Sequence, residues 1–410
     1  MEVTAVDSTG LSAHRVVSAG KKNFNALTGL RFFAAIGVVF YHFAGTLGQN
    51  WPSFFGNWIG SGFVAVGFFY LLSGFVLSYS YVTPQGDMRG SRRAFWTARF
   101  ARIYPAYLLA FLLAAPYNAL WTLHVNTPDR ALLKLGSGAV AVLTMQQAWT
   151  PWTAWYWNYP AWSVSAEAFF YLSFPFAALA LKRFSLRACL VGMGVLWFLA
   201  LIPPTLFLLY PGVSTGARSH LEMAIEFTPL LRLPEFLIGL LLGRAYVLGF
   251  RFRPTVARWI SYLSVAAVLA CLAYSEALPR PLLANGVLAP LFALIIFSFA
   301  EGEGWLARFL SIRPLVLLGE ASYGIYILQI PVSYVLRLPP PHRSWVMLSM
   351  FLFALIATSL LSWRFVEIPL RGRIRDWIMG NQAKRPAVLG SGISANSRQT
   401  NLIVATAETN

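Results

Sequence analysis

Apolar runs of about 20 residues, the length of helix that crosses a hydrocarbon core, recur along this chain from Leu27 almost to Glu367 with only short polar gaps. Lipid cannot satisfy open backbone N–H and C=O groups, so each run is expected as a helix. The runs fall near 26–47, 60–82, 101–121, 161–181, 188–210, 229–249, 258–276, 282–300, 314–336 and 345–366. They predict an all-α polytopic membrane protein of about ten transmembrane helices. Composition agrees, because 57% of the 410 residues are hydrophobic and only 11% are charged, half the charge of an ordinary soluble protein. One membrane domain over 26–370 is expected, between a polar cytoplasmic tail at 1–25 and a cytoplasmic tail at 371–410. The second tail, rich in Ser, Asn, Thr, Gly and Ala without periodicity, reads as disordered.

A net charge of +17 raises the question of nucleic acid. The arginines, however, sit in short clusters beside span ends: Arg92, Arg93, Arg99 and Arg102, then Arg251, Arg253 and Arg258, then Arg371, Arg373 and Arg375. That is the positive-inside pattern, and no nucleic-acid partner is expected. It places both termini in the cytoplasm of a multi-pass protein of the cell's inner, or plasma, membrane. The first 24 residues carry no apolar segment with a small-residue cleavage site, so the first span is expected to be its own insertion signal. Cys189 and Cys271 both lie inside apolar runs without metal-like spacing, which supports neither a disulfide framework nor a metal site.

A further stretch, 131–149, is moderately apolar. If it crossed, Lys182, Arg183, Arg187 and the Arg251–Arg258 cluster would lie outside, so it is expected as a re-entrant or interfacial segment on the external side. The loop that contains it carries Trp149, Trp152, Trp155, Tyr156, Trp157 and Tyr159. These rings suit an interfacial aromatic belt or stacking on a glycan. No internal repeat of the transporter kind is visible.

Ionisable residues within spans are costly to bury and are functional candidates. The first span has Arg31 and His42, eleven residues apart, hence about 20° apart in direction and about 16 Å apart in height on one helix face. That spacing suits a long ligand with an anionic head near Arg31 and a reactive end near His42, although a packing histidine would also fit. Arg99 and Arg102 share a face of the third span and would complete a phosphate pocket with Arg31, or simply mark a cytoplasmic helix end. Glu167 lies four residues after Ser163 and four before Tyr171 on the fourth span. Its carboxylate could accept a hydrogen bond from a ligand hydroxyl, orient His42, or pair with a buried arginine. Arg232 and Glu235 are expected to pair with each other, and Glu320 and Glu367 to balance the arginines. In Gly60–Phe75, GSGFVAVGFFYLLSGF, the glycines allow close approach of a helix or a ligand. His124 and Asp129 match a His-x4-Asp spacing found in soluble acyltransferases, but lie in a loop broken by Pro128. Nothing recommends His14, His220 or His342.

Seven segments in one order resemble the integral-membrane acyltransferase-3 family, which includes O-antigen, exopolysaccharide and nodulation-factor acetylases. They are LTGLRFFAAIGVVFYHF with Arg31-x10-His42, FFYLLSGF, ARFARIYP with Arg99-x2-Arg102, WSVSAEAFFYL, RLPEFLIG, LGEASYGIYILQIP and FVEIP, and together they span about residues 26–370. The resemblance implies transfer of an acyl group from cytoplasmic acyl-CoA, commonly acetyl-CoA, to a hydroxyl of an extracytoplasmic or lipid-linked glycan. It carries over His42 as the essential histidine, as general base or acyl carrier, and Arg31, Arg99 and Arg102 as essential basic residues. Two positions depart from the pattern: Gln329 stands where many relatives have histidine, and Gly67 where a polar residue is usual. The rival reading is a transporter or flippase for a glycan or acylated substrate, and a third is a non-catalytic sensor on the same scaffold.

Overall fold

In a computed structural model the described residues are 22–45, 47, 51–210, 219–338 and 344–383. Residues 1–21 and 384–410, which hold most of the two expected tails together with His14, lie outside them, as does His342. The elements are α1 (Asn25–Phe43), α2 (Ser53–Gly60), α3 (Ala65–Tyr81), α4 (Arg92–Val125), α5 (Pro128–Leu143), α6 (Trp162–Ala180), α7 (Leu186–Leu209), α8 (His220–Phe227) and α9 (Pro229–Val247). They continue with α10 (Pro254–Ala273), α11 (Arg280–Ala284), α12 (Ala289–Glu301), α13 (Gly304–Leu310), α14 (Arg313–Glu320), α15 (Ser322–Val335), α16 (Trp345–Ser362) and α17 (Ile368–Ala383).

The chain is an all-α polytopic membrane protein. Among the described residues eight helical stretches are long and apolar enough to cross a membrane, and α14 with α15, bent by 57°, makes a ninth. Nine of the ten expected spans fall on these. The tenth, near 229–249, forms as α9, but Arg232, Glu235 and Arg244 make it too charged to pass on composition. All three are buried, because α9 packs against α3, α6, α7 and α12 rather than facing lipid. Arg232 and Glu235 pair as expected, with Nη2 to Oε2 at 2.8 Å, and Arg232 Nη1 donates to Asn285 Oδ1 at 2.9 Å. Burial among protein partners is what makes such charges tolerable at membrane depth.

Glycine sets how closely α9 approaches α3. A Cβ on Gly74 would collide with the Phe236 carbonyl, and one on Gly239 with the Leu71 carbonyl. In lipid the hydrophobic effect does not drive helices together, so such small-residue seams supply the packing. Gly67 has a related cause: a Cβ there would come within 2.7 Å of Glu235 Oε1. Its departure from the usual polar residue leaves room for the buried ion pair.

The stretch expected as re-entrant or interfacial begins with α5, which at 16 residues is too short to qualify as a span. It turns back along α4, so that Tyr104 and Tyr107 hydroxyls donate to the carbonyls of Leu143 at 3.3 Å and Val142 at 2.8 Å. At the other end, α17 carries the helix through Arg371, Arg373 and Arg375 to Ala383, inside the stretch expected as tail. A wide π-helical turn over Trp363–Glu367 joins α16 to α17 and faces Glu367 inward, so no helix-breaking residue stops the chain at 370.

Candidate functional site

Helices α1, α3, α4, α6 and α15 surround a cavity of about 360 Å³, within the size range of small-molecule sites. Its wall runs from Lys22 and Tyr79 at one end, where the Lys22 backbone N–H donates to the Tyr79 hydroxyl at 3.0 Å, to Ser163 and Tyr326 at the other. Arg31, Arg102, Ser73 and Glu167 lie between these ends. Glu167 Oε1 accepts from the Tyr171 hydroxyl and from Ser73 Oγ at 3.4 Å. Arg31, Arg102 and Glu167 thus share one cavity wall.

Beyond Tyr326 lies a second, much smaller cavity of about 30 Å³, lined by His42, Tyr41, Phe63, Trp155, Tyr159, Glu226 and Arg280 among others. His42 stands in the last turn of α1, which puts it at the far end of the helix from Lys22. Its Nδ1 lies 2.8 Å from Gln329 Oε1, while Gln329 Nε2 donates to the Tyr326 carbonyl at 2.7 Å. That second bond orients the amide, so Oε1 must accept and Nδ1 must donate. Nε2 is then the nitrogen with a lone pair, the form a base or nucleophile needs. The ring of Tyr159 meets the imidazole edge-on at 5.2 Å. Opposite, Arg280 Nη2 is 3.2 Å from Glu226 Oε1 and 3.2 Å from the Tyr41 hydroxyl, with its guanidinium 3.8 Å from the Phe63 ring centre.

The structure thus brings Arg31, Arg102 and Glu167 to one chamber and His42 to the next. It does not bring Glu167 to His42: the group that holds the imidazole is Gln329, so the orienting role open to Glu167 on sequence falls to another helix. Arg99 also separates from Arg102. It is absent from the cavity wall and lies beneath Tyr81, Phe95 and Tyr171, with Nη2 donating to the Tyr81 hydroxyl at 3.2 Å. Glu367 is buried near Arg102 and Arg371, whereas Glu320 is exposed at the end of α14.

The rings of the aromatic loop divide between the interior and the surface. Trp155 and Tyr159 turn into the His42 chamber; Trp157 stacks on Phe111 with ring centres 4.4 Å apart; Trp149 and Trp152 face outward. Arg280 and Glu226 are functional candidates that the sequence reading missed. For Arg280 the available signal was a charge between Pro279 and Pro281 at the head of a short apolar helix. His124, expected in a loop, is exposed in the last turn of α4, and Asp129 lies in the first turn of α5; among the described residues no cluster of His, Cys, Asp or Glu could hold a metal.

Comparison with known proteins gives this geometry a family. The profile of the acyltransferase-3 family, described as an acyltransferase domain, matches residues 24–366. The acyltransferase MdmB of Streptomyces mycarofaciens is 28% identical over 327 residues, covering 75% of this chain and 78% of that protein. The O-acetyltransferase OatA of Staphylococcus aureus is 25% identical over 376 residues, covering 84% of this chain but only 57% of that protein. No solved structure matches the chain.

Proposed function

The chain belongs to the acyltransferase-3 family, and from that premise we propose that it is an O-acyltransferase, in the first instance an O-acetyltransferase. It moves an acyl group from acyl-CoA on the Lys22 side, taken as cytoplasmic, to a hydroxyl of an extracytoplasmic or lipid-linked glycan. The observation that carries this reading is the pair of adjoining chambers, one cationic and roomy, the other narrow with an imidazole in its wall. Arg31 and Arg102 offer charge-assisted hydrogen bonds to the donor phosphates. The pantetheine arm then passes Ser73 and Glu167 toward Tyr326, and a rise of about 16 Å along α1 is within its reach. Glu167 serves as a wall group that balances the arginines.

At the far end the acceptor hydroxyl gives its proton to His42 Nε2 as its oxygen attacks the thioester carbonyl. The carbon–sulfur bond breaks, an ester carbon–oxygen bond forms, and the proton passes to the CoA thiolate. The same Nε2 could instead carry the acyl group transiently before the hydroxyl attacks. Gln329 supports either route by fixing the tautomer. Trp155 and Tyr159 offer ring faces to a sugar, with Arg280 and Glu226 as polar contacts beside them. The O-acetyl group named for OatA supports acetyl as the first acyl group to test.

Membranes containing the protein, incubated with radiolabelled acetyl-CoA, should transfer label to a glycan fraction, and His42→Leu membranes should not. A transporter or flippase would leave the label on CoA in both. Comparing the surface glycan of a deletion strain with its parent then identifies the acceptor.

A further inference from the structure

We propose that Tyr326 is the partition across the acyl path and the residue that sets how long an acyl group can reach His42; this rests on the acyl-transfer reading above. Tyr326 and Val66 are the two residues that line both cavities. A direct path from the Arg31 chamber to the His42 chamber would run beside them.

The Tyr326 ring is latched in that position. Its hydroxyl is 2.7 Å from Ser163 Oγ and 3.2 Å from the Pro160 carbonyl, and Ser163 Oγ donates to the same carbonyl at 3.0 Å. Ser163 opens α6 on the donor side, whereas Pro160 faces the acceptor side. The latch therefore ties α15 to the entrance of α6, where the two chambers meet. Tyr326 is also joined to the reacting group, since its carbonyl receives the Gln329 amide that holds His42. Partition and imidazole mount belong to one turn of α15.

The volumes say what the partition selects. A space of about 30 Å³ has room for about two waters, enough for an acyl carbonyl with a short tail and one hydroxyl. An extended acyl tail would need room on the far side of Tyr326 that the rings of Tyr41, Phe63 and Tyr159 already occupy. Until a bound donor displaces it, the latched ring also separates the His42 side from the donor chamber, and exclusion of water there protects the thioester. Displacing the phenol costs one ordinary hydrogen bond, modest in net energy, because Ser163 Oγ can keep the Pro160 carbonyl as its acceptor. A short thioester can therefore move the phenol and fit beyond, while a long acyl group that displaces the ring finds its path filled by the rings behind it.

The test uses full-length protein in lipid nanodiscs with acetyl-CoA and hexanoyl-CoA. Tyr326→Ala should raise the ratio of hexanoyl to acetyl kcat/KM at least about tenfold, the scale at which pocket volume discriminates added methylenes, and should raise acyl-CoA hydrolysis without acceptor. Tyr326→Phe keeps the ring and should hold the ratio within about twofold of the parent. A second measurement needs no transfer. In a Cys189→Ser, Cys271→Ala background carrying His42→Cys, a charged thiosulfonate added at the Lys22 face should label position 42 about tenfold faster with Tyr326→Ala than with Tyr326 intact, by opening of the path. Faster labelling in a parent that transfers no acyl group would keep the partition and sink the acyl-transfer reading. An unchanged acyl ratio together with unchanged labelling, in a monodisperse variant that binds a CoA analogue as tightly as the parent, overturns the assignment. If Tyr326→Ala does not fold, Tyr326→Leu carries the same two readouts.

Discussion

The two chambers differ in nearly every respect that matters for binding. The Arg31 chamber is about twelve times the volume of the His42 chamber, about 360 Å³ against about 30 Å³. Its chemistry is ionic, with Arg31, Arg102 and Glu167 in the wall, while the His42 chamber has one imidazole, one Arg280–Glu226 pair and a rim of rings. A large, charged space can hold a ligand tightly without fixing an atom. A small one built of rings and locked hydrogen bonds holds a single reacting group in register. Under the proposed function, the contrast assigns binding and chemistry to opposite ends of one helix, α1, with Tyr326 between them.

The largest effect should come from the narrow chamber. Removing a positioned base typically costs about 10²–10⁴-fold in rate, so His42→Leu should be almost inactive. The leucine is welcome in a helix bundle in lipid, and insertion, monodispersity and CoA-analogue affinity should match the parent. Turnover within a few-fold of the parent would make His42 a packing residue and erase the distinction between the chambers.

In the roomy chamber the expected signature is reversed. Arg31→Ala and Arg102→Ala should each raise the donor KM by roughly 10–100-fold, the loss of a charged hydrogen bond of about 1.5–3 kcal/mol, with kcat changed less. If either variant binds a CoA analogue normally and loses kcat instead, the cations act in chemistry and the division of labour is wrong. Between these lies Gln329. Replacing it with leucine removes the acceptor that holds Nδ1–H, and a hydrogen bond of about 1 kcal/mol corresponds to roughly fivefold to tenfold in rate. That loss should appear in kcat with donor KM unchanged, which no donor-side residue should imitate.

How much of this could be read from the chain depends on whether a feature is local. The spans were readable because lipid forces each one to be a continuous apolar helix; α9 was readable as well, although Arg232, Glu235 and Arg244 are buried within it. The shared face of Arg31 and His42 followed from helical periodicity alone. The Gln329 contact could not, because it joins residues 287 positions apart and its meaning lies in which amide atom points where. Trp155 and Tyr159 could be named but not aimed, since they lie in an irregular segment where no period fixes direction. Arg280 and Glu226 were missed for a similar reason. They sit on short helices, α11 and α8, that read as loop margins until the fold brings them to His42.

Arg99 gives the smallest expected effect and the sharpest check on how finely the donor chamber is drawn. Spacing alone groups it with Arg102, three residues away on α4. Three residues leave two side chains about 60° apart around the helix, and here that offset decides their neighbours. Arg102 lines the cavity, whereas Arg99 lies under the Tyr81, Phe95 and Tyr171 rings with its guanidinium 5.5 Å from the Tyr81 ring centre. Tyr171 in turn lines the cavity and donates to Glu167. Arg99 can therefore reach the donor only through the ring that it supports. An indirect contact of this kind, of the order of a cation–π interaction at about 0.5–1 kcal/mol, predicts a donor KM raised by about two- to fivefold in Arg99→Ala. Arg99→Lys, which keeps the charge but loses the planar stack, should behave like the alanine variant, whereas Arg102→Lys should recover part of the loss seen in Arg102→Ala. Titration of a CoA analogue against the four purified variants decides the matter. Equal weakening by Arg99→Ala and Arg102→Ala, with lysine rescuing both, would put Arg99 on the phosphates and enlarge the donor site beyond the cavity wall described here.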